Sequence, residues 1–356
     1  MKQLRKLFNY IFVDGMSGMA SGLFATLIIG TILGQIASFI PGQVGVWMSY
    51  CASVIKALTG AGIGVGVAVK FKESMLVTLS AAGAGMIGAF AAKILAGQVL
   101  SESGALTLAG PGEPLGAFIA VMVAVSVGRL VSGKTKLDIL VTPFVTIVSG
   151  GIVGLLVGPP ISGFMTWLGA LVNWGTEQAP VLMGIIVSVI MGMILTLPIS
   201  SAALGVMLNL SGLAAGAATI GCSAQMVGFA VASFRENKWG GLLAQGVGTS
   251  MLQVPNIMRH PLIWVPATLT SAILGPIGTA LLGMTNNAVG SGMGTSGLVG
   301  QIMTYKTMTE AGESGWTVLL LILVMHVLAP AALSLLFSEI MRKLGWIKYG
   351  EQKLDL

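Results

Sequence analysis

The sequence predicts an all-α polytopic membrane protein, about ten transmembrane helices plus two re-entrant hairpins, and three observations carry that reading. Of 356 residues, 55% are hydrophobic and only 8% are charged, against roughly 25% charged in ordinary soluble domains. A soluble enzyme is thereby excluded. Those few charges fall in short clusters separated by apolar runs long enough to cross a bilayer. Finally, there are 51 glycines, about twice the share of roughly 7% found in average proteins, with no collagen period to absorb them. Inside membrane segments, small residues let helices approach closely.

A spanning helix needs about 20 apolar residues. In chain order, Met16 to Ile40, Val44 to Val69, Met75 to Gly97, Pro114 to Val131 and Ile139 to Val157 supply five such runs. The first is too long for the roughly 7 to 15 residue core of a signal peptide and is read as a retained span. Lys2, Arg5 and Lys6 precede it. Lys70 and Lys72, then Arg129, Lys134 and Lys136, mark alternate loops, with Glu102 and Glu113 in a loop between them. The positive-inside bias therefore puts the amino terminus in the cytoplasm. A turn is expected at Gly158-Pro159-Pro160. Beyond it, Ile161 to Trp174 is short, Val181 to Leu197 stops at Pro198, and Ser211 to Phe234 leads into Arg235-Glu236-Asn237-Lys238. Leu262 to Met284 crosses again, and Trp316 to Phe337 returns to a tail carrying Arg342, Lys343, Lys348 and Lys353. That tail is also expected in the cytoplasm. The membrane domain is thus read as 1–356, with five spans in 1–160 and the remaining spans in 161–356.

Two segments in the second part do not read as ordinary spans. Trp239 to Val254 is glycine-rich and has basic residues at both ends, Lys238 and Arg259, so a hairpin near 239–256 is expected. Thr285 to Met303 is too polar for a lipid-facing helix and reads as a second hairpin near 285–303. Irregular backbone at membrane depth persists only where protein or a water-filled cavity satisfies its polar groups. Interrupted segments are also the best single-sequence pointer to a transporter's binding site. The first hairpin offers Thr249, Ser250, Gln253 and Asn256; the second offers Asn286, Asn287, Ser291 and Thr295, with Ser296 and Gln301 beside them; the break Leu197-Pro198-Ile199-Ser200-Ser201 adds Ser200 and Ser201. Uncharged hydroxyls and amides suit a neutral polyol. For each, the competing reading is a side chain that only satisfies its own broken backbone.

Charges within apolar runs are expensive and functional by default. Lys56 and Lys93 read either as snorkelling or as lying on an internal face, His326 as a buried hydrogen-bonded histidine, and Glu113 as the cap of the helix it begins. The net charge of +6 reflects topology, and no nucleic acid is expected. Cys51 and Cys222 lie in separate apolar runs and form no metal or redox pair. There is no phosphate-binding loop, no metal-spaced cluster and no catalytic segment, so neither a cofactor nor a metal is expected.

On these residues the chain resembles the membrane-embedded IIC subunit of the bacterial phosphoenolpyruvate-dependent sugar phosphotransferase system, closest to the fructose and mannitol type. Thr142-Pro143-Phe144 and Gly158-Pro159-Pro160 are similar to a proline-containing span running into the family's Gly-x-Pro turn. Pro198-Ile199-Ser200-Ser201-Ala202-Ala203 resembles its Gly-Gly-Pro-x-Asn-Lys-Ala-Ala, and Gly248 to Pro255 falls where it has Gly-Ile-Thr-Glu-Gly-Ala-Ile-Pro. The family's glutamate falls on Met251 and its Asn-Lys pair on Ser200-Ser201, while Gly292-Met293-Gly294 stands where it carries a histidine. The divergent stand-alone branch, which includes the perfringolysin O regulator group, is the nearer match.

The resemblance implies a permease in the bacterial cell membrane, moving a sugar or other small polar solute by alternating access. The family is usually a homodimer, and phosphorylation of the solute would need a separate EIIB component. The alternative is a membrane-embedded regulator of toxin or gene expression that binds a solute or partner without transport.

Overall fold

A computed structural model describes residues 9–101, 104–176 and 178–354. Lys2, Arg5, Lys6 and Glu102 lie outside the described residues. The chain divides into two units, Met1–Phe164 and Met165–Leu356.

In the first unit, backbone meets backbone because the facing residues have no side chain. Helices α1 (Asn9–Phe39), α2 (Gln43–Ala57), α3 (Thr59–Lys70), α4 (Met75–Leu95) and α5 (Pro114–Val131) follow one another, and α6 (Asp138–Thr176) begins in this unit and ends past Phe164 in the second. A Cβ added to Gly22 of α1 would stand 2.1 Å from the Gly62 carbonyl of α3, and one on Gly85 of α4 would stand 2.1 Å from the Gly60 carbonyl. Helix α3 is therefore gripped from two sides at a separation that alanine would prevent. One end of this unit is closed by Arg129, which pairs with the Glu73 carboxylate and lies over the rings of Tyr10 and Phe71. Those rings stack on each other at 4.3 Å.

Of the expected spans, one is bent and two are joined. The run Val44 to Val69 is two helices, bent by 51° at Leu58, because α3 follows the glycine contacts with α1 and α4 while α2 packs on the end of α1. Thr59 donates to the Lys56 carbonyl at 2.6 Å and secures the break. Conversely, no turn occurs at Gly158-Pro159-Pro160: Ile139 to Val157 and Ile161 to Trp174 belong to the single 39-residue helix α6. Both prolines are exposed, and a proline ring suits helical φ, its cost being the lost bond to the carbonyl four residues earlier. Seven described helices are long and apolar enough to cross a membrane, eight if α2 and α3 count as one bent span, with Pro180–Thr196 shorter. The merger in α6 lowers the count below ten. The fold is otherwise the expected one: all-α, with only two isolated bridges, Leu100 to Leu106 and Gly212 to Asn286, among the described residues. Outward apolar side chains such as Leu79, Ile139, Phe144, Leu320 and Trp316 are exposed, as a lipid-facing surface requires.

The second unit contains α7 (Pro180–Thr196), α8 (Ser201–Met207), α9 (Gly212–Ala232), α10 (Phe234–Leu243), α11 (Val254–Arg259), α12 (Val265–Pro276), α13 (Val299–Glu310) and α14 (Gly315–Lys343). Every residue of α9 from Ala215 to Ala230 is buried. A helix buried all round needs neighbours on every side, and α7, α12 and α14 provide them. Contact is closest at Gly221, where an added Cβ would lie 1.9 Å from the Ser188 carbonyl of α7. Interhelical hydrogen bonds complete the joint. Ser188 donates to the Ser271 carbonyl at 2.8 Å, and Ser271 donates to the Gly221 carbonyl at 3.2 Å.

Gly221→Ala should therefore destabilise the protein by about 1–3 kcal/mol, the usual cost of overpacking a tight core. Thermal unfolding in detergent reads this. Gly240→Ala, where an added Cβ meets nothing within 4 Å, should be neutral or slightly stabilising, since alanine is the better helix former.

Candidate functional site

Helix α9 carries Thr219, Ser223 and Gln225 at complete burial, and buried polar side chains need partners. Two interrupted segments lie against it; the second partners Thr219 and Ser223, while Gln225 is partnered by Thr196, Trp264 and Thr268.

The first comes after α9. The chain kinks at Lys238, whose φ of +51° interrupts α10, and runs on as helix to a π-turn over Ala244–Gly248. Thr249 is extended, and a 3-10 turn, Ser250–Gln253, precedes α11. Gln253 Nε2 reaches back to Gln245 Oε1 at 2.9 Å, so the two limbs lie side by side about the Thr249 tip. The segment 239–256 is thus a helix, a break and a second, short helix. Ser250 Oγ is 2.8 Å from Thr196 Oγ1 at the end of α7, and Thr196 donates to Gln225 Oε1 at 3.3 Å. Gln225 Oε1 also accepts from the Trp264 indole at 2.9 Å, and its Nε2 donates to Thr268 at 3.2 Å. Thr249 Oγ1 accepts from the Met251 amide at 3.1 Å. Asn256 donates to Gln253 Oε1 at 2.8 Å and to the Lys353 carbonyl at 2.9 Å.

The second segment follows α12. Asn286 Nδ2 lies 2.7 Å from Thr219 Oγ1, 2.9 Å from Thr304 Oγ1 and 3.1 Å from the Gly300 carbonyl. Asn287 accepts from the amides of Val289 and Gly290, capping the short turn Ala288–Ser291, and donates to Thr307. Ser291 donates to the Ala288 carbonyl, and Thr295 donates to the Met226 sulfur at 3.5 Å. Gly297 and Leu298, at φ +54° and +60°, turn the chain into α13. There Gln301 Nε2 lies 3.3 Å from both Ser223 Oγ and His326 Nδ1.

The break between α7 and α8 touches both segments. Thr196, just before it, bonds Ser250 of the first; Ser201, just after it, donates to the Gly292 carbonyl of the second at 2.7 Å. Ser200 is buried between them in sequence. All three polar segments singled out in the sequence thus converge on one helix. Most of their side chains are already engaged by protein: Thr249, Ser250, Gln253, Asn256, Asn286, Asn287, Ser291, Thr295 and Ser201 each have a protein partner. Two neighbours have a polar atom left over. Ser296 Oγ and Gln301 Oε1 are buried and without a partner among the described residues. Gln225, Ser223 and His326 were not singled out for the site because a polar residue within an apolar run carries no periodic signal.

A family model described as phosphotransferase system, EIIC matches residues 13–354. A search of curated proteins matched none.

In the first unit, Glu113 begins α5 as the expected cap residue but makes no side-chain cap bond. Its amide donates to the Ala89 carbonyl at 2.7 Å, which holds it against α4. Its Oε1 is buried without a partner among the described residues, and burial pushes its pKa up to about 7. The folded state thus holds this proton more tightly than the unfolded chain. The associated stability is full below about pH 4.5 and is lost as pH rises towards 7, by at most about 3 kcal/mol for such a shift. Glu113→Gln should flatten the dependence of the melting temperature on pH across that window. An unchanged slope would show that Glu113 is solvated.

Proposed function

The chain belongs to the phosphotransferase system EIIC family, and from that premise we propose that it carries a small polar solute of the sugar or polyol class by alternating access about α9. It is a multi-pass membrane protein, and the family acts in general with a sugar and an EIIB component. The proposal extends to the site: Ser250, Thr196 and Gln225 on one side, and Ser296, Gln301 and His326 on the other, contact the solute's hydroxyls.

The observation that carries this reading is the convergence of three broken segments on one buried helix, with Ser296 Oγ and Gln301 Oε1 left unpaired. Unpaired buried acceptors and hydroxyls are costly unless water or a ligand meets them. The groups are neutral. Met251, buried where the resembling family has a carboxylate, keeps them so. Both termini are placed in the cytoplasm on the charge bias argued above, so an EIIB partner would meet the same side as the Lys238 turn.

Hexoses and hexitols screened by thermal shift on detergent-purified protein test the reading, since a ligand of the folded state raises its apparent stability by about 2.7 kcal/mol at one hundred times its Kd. With the best ligand, Gln301→Ala and Ser250→Ala should each weaken binding by about 0.5–1.5 kcal/mol, the range for a hydrogen bond between neutral groups. Unchanged affinity in both folded variants would make the segments structural only.

A further inference from the structure

The chain beyond α14 does not trail away. Gly345, at φ +76°, ends the helix with the Gly345 amide on the Arg342 carbonyl and the Trp346 amide on the Met341 carbonyl, a left-handed cap that redirects the backbone. Ile347 is then buried with Phe229, Ile257 and Ile263. From Gly350 onward the backbone is read by Glu236 and Asn237 at the start of α10 and by Gln253 and Asn256 of the first broken segment. The Gly350 amide donates to Glu236 Oε1 at 3.3 Å, the Gln352 carbonyl accepts from Asn237 Nδ2 at 2.8 Å and from Gln253 Nε2 at 2.9 Å, and the Lys353 carbonyl accepts from Asn256 Nδ2 at 2.9 Å. The Leu354 amide donates to Asn237 Oδ1 at 2.8 Å, and Glu351 faces His260 at 3.4 Å. Gln253 and Asn256, two side chains with the chemistry to hold a polar solute, are thus occupied by the protein's own tail.

This contact has a flaw built into it. Gln352 is fully buried, yet neither Oε1 nor Nε2 of its side chain has a partner among the described residues. Docking therefore gains from the tail's backbone and loses from an unpaired carboxamide, which would regain water on release.

We propose that the Lys348–Leu354 tail is a releasable plug on the amide face of the Thr249–Asn256 segment, an autoinhibitory self-ligand that must leave before Gln253 and Asn256 can meet a solute. That last clause rests on the function proposed above and extends its site to Gln253 and Asn256; the docking itself does not. Gly350 is the point of attack. Its positive φ and its donated amide are both denied to proline, so Gly350→Pro should free the tail with α14 intact. Gln352→Met should do the reverse, replacing an unpaired polar group with an apolar one of similar size.

The test is labelling by a charged methanethiosulfonate reagent in inside-out membrane vesicles, with Cys51 and Cys222 changed to Ala and one reporter at a time, Leu354→Cys in the tail or Asn256→Cys beneath it. Gly350→Pro should speed both labelling rates at least tenfold, and Gln352→Met should slow them about threefold. A synthetic peptide of residues 348–356 added to the Gly350→Pro protein should restore protection at the Asn256→Cys reporter. Equal rates in wild type and a folded Gly350→Pro protein would overturn the plug. If Gly350→Pro fails to fold, Gln352→Met decides alone, and an unchanged or faster rate there overturns it. Sugar protection of the Asn256→Cys reporter in the released protein is a separate arm. Its failure, with the labelling shifts intact, would remove the solute from this segment and leave the plug standing.

Discussion

The joint between Gly221 and the Ser188 carbonyl governs much of the second unit. Because no side chain intervenes, α7 and α9 approach until backbone meets backbone, and Ser188 and Ser271 then tie α12 into the same joint. In lipid there is no hydrophobic force between helices, so packing and interhelical hydrogen bonds must hold them. Once α9 is enclosed in this way, its Thr219, Ser223 and Gln225 have no water to turn to. They must be met by side chains from elsewhere: the second broken segment meets Thr219 and Ser223, Thr196, Trp264 and Thr268 meet Gln225, and the first broken segment joins through Ser250 on Thr196. Tight packing at one level of the helix thus creates the polar demand that anchors irregular backbone at another.

The same logic accounts for the state of the site. Nearly every hydroxyl and amide in the segments has a protein partner, as buried polar groups require. A solute would replace some of those bonds rather than fill a vacancy, and such exchange suits a carrier that must release what it binds. Ser296 and Gln301 are where the protein leaves something undone. The tail works by the same exchange: its backbone carbonyls take the donors of Gln253 and Asn256.

Much of the architecture was legible in the sequence, for physical reasons. Apolar runs of spanning length give helices such as α4, α5 and α9, and the glycine-rich, polar stretches around Thr249 and Asn287 gave themselves away because no lipid-facing helix carries such residues. The breaks were harder. Pro159-Pro160 reads as a turn, yet proline is compatible with helical φ when the carbonyls it strands can be accommodated, and α6 runs through. Leu58 carries no breaking signal at all; the bend there comes from glycine contacts made by α3 with α1 and α4. At the site, the residue types on the broken segments were found, but their partners were not. Gln225, His326 and Gln352 gain their meaning from residues far along the chain, and neither spacing nor composition encodes such pairings. Glu113 reads as a capping carboxylate by position, whereas only the packing against Ala89 reveals that one of its carboxylate oxygens is shut away without a partner among the described residues.

Helix α9, buried all round, is the post from which the broken segments hang, and they should open more readily than it does. Amide hydrogen exchange followed by mass spectrometry, on the protein in detergent or nanodiscs, tests this directly, because local opening reports stability element by element. The account predicts the slowest exchange in the second unit for peptides within 215–230, and distinctly faster exchange for 244–253, 288–298 and 348–354. If the peptides of α9 exchange as fast as those of the broken segments, the post is no more stable than what hangs on it, and the account fails.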